Sequence, residues 1–149
     1  MALAMAEAEA AAARGEVPVG AVLINGAGQV IAAAGNQVEA DRDPTAHAEM
    51  VVLRAAAKLL GVKRLVECDL WVTLEPCAMC AAAIAHSHVR RLYFGAYDPK
   101  GGAVEHGARL FDQPTIHHRP EIYGGIEEQR AARLLRAFFD TRRRALQTR

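Results

Sequence analysis

Two short segments, thirty residues apart, constrain this chain more than anything else in it: His47-Ala48-Glu49 and Pro76-Cys77-Ala78-Met79-Cys80. Each opens a stretch with helical character. Cys77 and Cys80 are three apart, so on a helix they share one face and can chelate one ion. An imidazole and two thiolates suit Zn²⁺. Both segments sit at helix N-termini, where the macrodipole favours a thiolate. Three protein donors leave a fourth position open, which marks a catalytic zinc, whereas a structural one is closed by four. Water in that position has its pKa brought to roughly 7. Glu49 is beside the donors in sequence without being needed as one, and is placed for general acid–base work.

Other readings of the cysteines compete. A lone Cys-x-x-Cys also occurs in structural zinc sites and redox pairs, and Cys68 in principle closes the site as a fourth donor. Cys68, however, precedes the strand whose far end leads to Cys77, so the strand carries the two apart. Cys68 reads as a small buried hydrophobe. A redox pair leaves His-x-Glu unexplained.

The rest of the chain reads as alternating strands and helices. Residues 2–14 are Ala-rich and helical, with Gly15 at the end. Val19 to Ile24 and Val30 to Ala33 form a hairpin across a turn with Asn25, Gly26 and Gly28. Asp41 to Pro44 is a loop, in which Asp43 is an expected N-cap with Pro44 at the first helical position. That helix runs to about Leu60 and stops at Gly61. Leu70 to Leu74 is a short strand, Cys77 to about His86 a helix, and Val89 to Ala96 a strand. Residues 97–115 are irregular, and a stretch of that length is often functional. Ile116 to Tyr123 reads as a last strand and Ile126 to about Leu146 as a last helix. The pattern is α/β, with a mixed sheet because a hairpin precedes the βα units.

A chain of 149 residues suits one domain, 1–149. Only 5% of it is aromatic, so Ala, Val and Leu must fill the core. No apolar run reaches the roughly 18 residues that span a bilayer. The Ala-rich start carries Glu7 and Glu9 without an early cation, which argues against a secretory signal. Three cysteines without an export signal point to metal or thiol chemistry. A cytoplasmic protein with no membrane partner is expected. The net charge of +1 is neutral about nucleic acid, but the C-terminal end is basic: Arg136, Arg142, Arg143, Arg144 and Arg149 stand against Asp140. Arginines there also suit a helix dipole with no partner at all.

The combination His-x-Glu with Pro-Cys-x-x-Cys is the signature of zinc-dependent nucleobase deaminases. The chain resembles the bacterial tRNA adenosine deaminases of the cytidine-deaminase superfamily over nearly its whole length. The resemblance is carried by 16–22 (Glu-Val-Pro-Val-Gly-Ala-Val), 43–49, 72–80 (Val-Thr-Leu-Glu-Pro-Cys-Ala-Met-Cys), 94–98 and the loop 98–104. Phe138-Phe139 with Arg142-Arg143 resemble this family in particular. The start of the first helix, the hairpin turn at Asn25–Gln29, and Asp140 and Thr141 in the basic helix depart from its pattern.

The resemblance implies a three-layer α/β/α fold around a five-stranded mixed sheet. It implies a homodimer binding a tRNA anticodon stem-loop across both subunits, with the wobble adenosine of arginine tRNA converted to inosine. His47, Cys77 and Cys80 would hold Zn²⁺, one per subunit, and Glu49 would shuttle protons. Asn36 matches the residue that hydrogen-bonds the target nucleoside. Glu16, Val17 and Pro18 match the base pocket, and Ala48 is assigned to the substrate site. Asp98 and Lys100 match the loop near the target nucleotide. Phe138, Phe139, Arg142 and Arg143 match the helix that holds the anticodon loop. An anticodon loop offers its bases already unstacked, and adjacent aromatics and arginines suit stacking and phosphate contact.

Two alternatives remain: a deaminase of a free base or nucleoside, of guanine or cytosine type, and a non-enzymatic RNA-binding module around a structural zinc. His106, in the long loop, is in reach of a substrate. For it and for His86, His88, His117 and His118 a structural or solvent role is favoured, with His117 and His118 in an edge strand. Trp71 reads as core.

Overall fold

The computed structural model describes residues 1–148; Arg149 of the basic C-terminal run lies outside them. The element order is α1 (Ala2–Ala13), β1 (Gly20–Ile24), β2 (Val30–Gly35), α2 (Val38–Asp41), α3 (Ala48–Leu60), β3 (Asp69–Leu74), α4 (Ala78–His86), β4 (Arg91–Ala96), a 3₁₀ turn (Leu110–Asp112), β5 (Glu121–Tyr123) and α5 (Glu128–Gln147). The five strands form one sheet in the order β2-β1-β3-β4-β5. β1 is antiparallel to both β2 and β3, while β3, β4 and β5 are parallel. Helices α1 and α5 pack on one face, α3 and α4 on the other. The expected three-layer α/β/α arrangement with a five-stranded mixed sheet is therefore present.

Side chains alternate between the two layers, as strand geometry requires. Ala21 and Leu23 of β1 pack in the core with Val52 and Leu53 of α3, Leu70, Val72, Leu92 and Phe94. Leu23, Leu70, Leu92 and Phe94 are fully buried, and each such side chain stabilises by about 1.5–3 kcal/mol. On the opposite face Gly20 lets α1 sit against the sheet. A Cβ there would stand 2.0 Å from the Ala4 carbonyl oxygen, so no larger residue fits the spacing.

Several boundaries differ from expectation. The helix expected from Pro44 begins only at Ala48. The Asp43 carboxylate instead accepts from the Thr45 backbone N–H and hydroxyl, at 2.8 and 2.7 Å, and holds a turn. The loop expected at Asp41 to Pro44 is preceded by the single helical turn α2. The last strand is three residues rather than eight, so His117 and His118 stand outside it. The two rings pack against His86 and His88 instead, with centroids 4.7 and 5.0 Å apart, and the His118 ring donates to the Val89 carbonyl at 2.8 Å. Trp71 is half-buried rather than core. It stacks on Tyr93 at 3.9 Å, and Tyr93 stacks in turn on Tyr123 at 5.0 Å, one ring from each parallel strand in register.

The hairpin turn is built as its composition suggests. The Asn25 carboxamide oxygen accepts from the Ala27 and Gln29 amides, and Gly28 takes φ +80. No helix among the described residues is long and apolar enough to cross a membrane.

Candidate metal centre and substrate cavity

The topology brings four segments to one edge of the sheet, and the start of α3 joins them there. The edge lies beyond the carboxyl ends of β3 and β4, where open α/β sheets place their ligands. Because β1 runs against β3, the residues entering β1 (16–19) emerge at this same edge. β2 pairs Gly35 with Gly20, so Asn36 and α2 follow there too. Together these segments surround a cavity of about 410 Å³. It is lined among others by Glu16, Val17, Asn36, Glu39, His47, Glu49, Glu75, Cys77 and Asp98. A volume of this size suits a small ligand or one base.

At its floor His47, Cys77 and Cys80 offer donor atoms that all lie within 4.8 Å of one another. His47 is the N-cap of α3 and Cys77 the N-cap of α4, each with an extended backbone and no side-chain bond to its own helix start. Cys80 is in the first turn of α4. The His47 Nδ1 stands 3.7 Å from the Cys77 sulfur and 3.6 Å from the Cys80 sulfur. Cys68 is buried in the main core, apart from this group. The donor set fits zinc by its chemistry: one imidazole and two sulfurs on rigid helix starts, with a cavity on the fourth side.

The electrostatics favour a thiolate at Cys77. Cys77 is pushed down to about 4, chiefly by its hydrogen bond with Cys80, against the effect of burial and with further help from His47. Cys80 moves up through the same contact and its own burial, so the pair shares one proton with Cys77 as the thiolate. His47 is raised, mainly by the Cys77 contact. Glu49, in the first turn of α3, is buried, and that burial raises its carboxyl above the ordinary value.

The remaining expected residues divide into three groups. Asn36 is buried, and its carboxamide oxygen accepts from the Ala48 N–H at 2.8 Å. That bond spends the Ala48 amide, fixes the Asn36 plane and leaves the Asn36 nitrogen for a ligand. Ala48 itself is fully buried beneath the site. Glu16 lines the cavity, and its carboxylate accepts from the amides of Glu39 and Ala40 in α2, at 3.0 and 2.9 Å. It thereby holds Val38 and Glu39 against the cavity. Val17 is in the lining, whereas Pro18 is buried outside it.

Asp98 lines the cavity, and its carboxylate accepts from the amides of Lys100 and Gly101. Lys100 faces elsewhere. With Leu135, Arg136, Phe139, Arg142, Arg143 and Leu146 it lines a second depression, along α5. A third hollow connects the two, sharing Leu74 and Asp98 with the cavity and Leu135, Arg136 and Phe139 with the depression. Phe138 is half-buried and outside that track. It meets Phe139 edge to face, and the Arg142 guanidinium lies 4.8 Å over its ring while donating to the Gly15 carbonyl at 2.7 Å.

Glu75 is a residue that the sequence reading did not single out. It is buried in the cavity wall and gathers hydrogen bonds from the loop 98–106, including one with His106 at 2.8 Å. Burial alone would raise its carboxyl, but the bonds from Asp98, His106, Glu105 and Val104 outweigh it and hold the group below the usual range. The available signal was an acid placed between an apolar strand and a proline. Glu39 and Leu74 were also missed, since nothing local marks them, and Arg136 was read only as part of the basic C-terminal run.

Comparisons with known proteins converge on one family. The family model described as the cytidine and deoxycytidylate deaminase zinc-binding region matches residues 1–96. A tRNA-specific adenosine deaminase of Agrobacterium fabrum is 55% identical over 143 residues, covering 96% of this chain and 93% of that protein. A solved structure from work on A-to-I editing by tRNA:A34 deaminases at the wobble position has a TM-score of 0.89 and 56% identity, covering 91% of this chain and 97% of that one. A guanine deaminase from Nitrosomonas europaea has a TM-score of 0.75 and 27% identity, covering 92% and 81%. With its donor set, its sheet order and these relatives in agreement, the chain belongs to the cytidine and deoxycytidylate deaminase family, in the branch that holds the tRNA-specific adenosine deaminases.

Proposed function

We propose that this protein is a hydrolytic deaminase that converts the wobble adenosine of a tRNA anticodon, in arginine tRNA, to inosine. The observation that carries this reading is the convergence of His47, Cys77, Cys80 and Glu49 on a base-sized cavity that runs on into a basic, aromatic depression. Its high identity to tRNA-specific adenosine deaminases supports tRNA as the substrate class.

His47, Cys77 and Cys80 would hold one zinc ion per subunit. When bound, zinc supplies the Lewis acidity that makes water a nucleophile near neutral pH. Glu49 takes a proton from the attacking water and delivers it to the exocyclic amine. The water oxygen bonds to C6 of adenine while N1 takes the water's other proton, the C6–N6 bond breaks, ammonia leaves, and C6=O with N1–H remains. A buried carboxyl with raised proton affinity suits a group that must hold a proton between two steps.

The Asn36 carboxamide nitrogen donates to the nucleoside, while Val17 and the Glu16-braced turn α2 enclose the base. Pro18 stiffens the chain between them, and Ala48 acts through its bond to Asn36. Asp98 borders the target nucleotide. Lys100, Phe139 and Arg143 take the flanking phosphates and bases, while Phe138 and Arg142 anchor α5 against Gly15. Two copies of the chain pair, with the anticodon stem-loop lying across both. A tRNA substrate is in keeping with a cytoplasmic protein.

The test is incubation of the zinc-loaded protein with the anticodon stem-loop of arginine tRNA, beside a panel of free bases, followed by nucleoside mass spectrometry. Inosine is expected at the wobble position. Glu49→Ala should lower the rate by about 10²–10⁴-fold, the usual contribution of general acid–base catalysis. Absence of inosine with a zinc-loaded protein rejects the reading. The likeness to a guanine deaminase favours one second reading, a free-base deaminase. Turnover of a free base that survives Arg142→Ala and Arg143→Ala would establish that one instead.

A further inference from the structure

Glu75 follows β3 directly and is 2% exposed. One oxygen, Oε1, accepts from the Asp98 amide at 3.1 Å and from the His106 ring at 2.8 Å. The other, Oε2, accepts from the amides of Val104, Glu105 and His106 at 3.2, 3.0 and 3.1 Å. Both oxygens are thus fully spent on one loop. Within that loop Gly102 passes so close that a Cβ would stand 2.6 Å from the Glu75 carboxylate. The segment 98–106 is wrapped on this side chain, and beyond it only Ala103 and Val104 are buried as part of the apolar core.

The same segment touches both halves of the site. Asp98 and Gly101 line the cavity, while Lys100, between them in sequence, lines the depression along α5. The other residues of the depression belong to α5, which packs on β4, β3 and α1, so the loop's own share is to set Lys100 relative to Asp98 and Gly101. We propose that Glu75 is a positioning residue for polynucleotide recognition. It holds 98–106 as a rigid joint, so that a substrate occupying cavity and depression together meets both in one register. This rests on the reading of the protein as a deaminase of an anticodon loop. Glu75 needs no contact with the substrate and takes no part in bond making. It removes the ordering cost that a loose loop would impose on each binding event. His106 is half-exposed and serves as the outer end of the clasp, through its Nδ1–H.

The experiment compares wild type with Glu75→Gln, His106→Ala and His106→Asn, all zinc-loaded. Gln keeps the volume but turns an NH₂ group toward amide donors. Amide exchange at Asp98, Val104, Glu105 and His106 is expected to quicken in Glu75→Gln. KM for the anticodon stem-loop should rise about tenfold, which is one decade of affinity. The kcat should stay within about twofold, as for a residue that acts only on binding, and the zinc content should be unchanged. His106→Ala should raise KM less, and His106→Asn, which keeps a donor, should restore it. If Glu75→Gln does not fold, His106→Ala and its rescue decide the matter at a surface position. Protected amides with an unchanged KM overturn the proposal, and so does a loss of kcat at constant KM. Should wild type leave the stem-loop adenosine intact, the deaminase reading fails by itself. The stem-loop Kd and the exchange rates then decide the joint: a weaker Kd in Glu75→Gln supports it, and an equal Kd refutes it.

Discussion

Glu75 has a pH signature of its own at the scale of single residues. Its carboxyl is held below the ordinary value of 4.5 in the folded protein, since the loop's donors outweigh the burial that opposes them. A depressed folded value means that the charged form stabilises the fold. The contribution is complete above 4.5 and is lost as pH falls through the folded value. The stability difference between wild type and Glu75→Gln, from urea denaturation, should therefore be constant from pH 7 to about 5 and narrow below 4.5. A difference that stays flat down to pH 3 would contradict the assignment. The contrast with His47, Cys77 and Cys80 is instructive. Those three were legible because the chemistry of a metal donor is written in residue type and short spacing. Glu75 was not, because its partners at 98 and 104–106 are remote in sequence and are mostly main-chain amides, which leave no trace in residue identity. Glu16 is similar. The resemblance assigns it to the base pocket, but its carboxylate is occupied with the amides of Glu39 and Ala40, so it shapes the pocket through α2.

At the scale of elements, the start of α3 shows how local signals misplace a boundary by a few residues. Asp43 and Pro44 have the types of an N-cap and a first helical residue, yet Asp43 serves the Thr45 turn and the helix waits for His47. The delay matters to the site. An extended His47 at the cap projects its ring toward α4, whereas a helical His47 would follow the turn of the helix. The packing of α1 is likewise a property of two elements at once. Gly20 lies in β1 with a carbonyl of α1 where its Cβ would be. Gly20→Val should destabilise the protein by about 1–3 kcal/mol or more, as overpacking does, with a lower urea midpoint and an unchanged m-value. An unaltered midpoint would mean that α1 does not seat on β1 in this way. The hairpin, the Cys helix and the final helix were each readable within two residues of their ends, because their periodicity and turn residues are local.

At the scale of the whole molecule, the metal donors tie α3 to α4 across the edge of the sheet. A ligand bound only by the folded chain stabilises it by mass action, by about 2.7 kcal/mol at a hundredfold excess over Kd. Chelation with a strong zinc ligand should accordingly lower Tm, and added Zn²⁺ should restore it, whereas Mg²⁺, which prefers oxygen donors, should not. A Tm indifferent to chelator and zinc would show that the three side chains do not act as a metal site. The division between what was readable early and late follows from range. The α/β class, the helix starts and the identity of the donors are local facts of residue type, spacing and periodicity. The short β5, the half-exposed stack of Trp71 on Tyr93 and the clasp of Glu75 on 98–106 depend on which segments become neighbours. That is settled by the order and direction of the strands. Because β1 runs against β3, the segments 16–19, 36–39, 75–77 and 98–101 all meet at one edge, and the cavity exists only where they do.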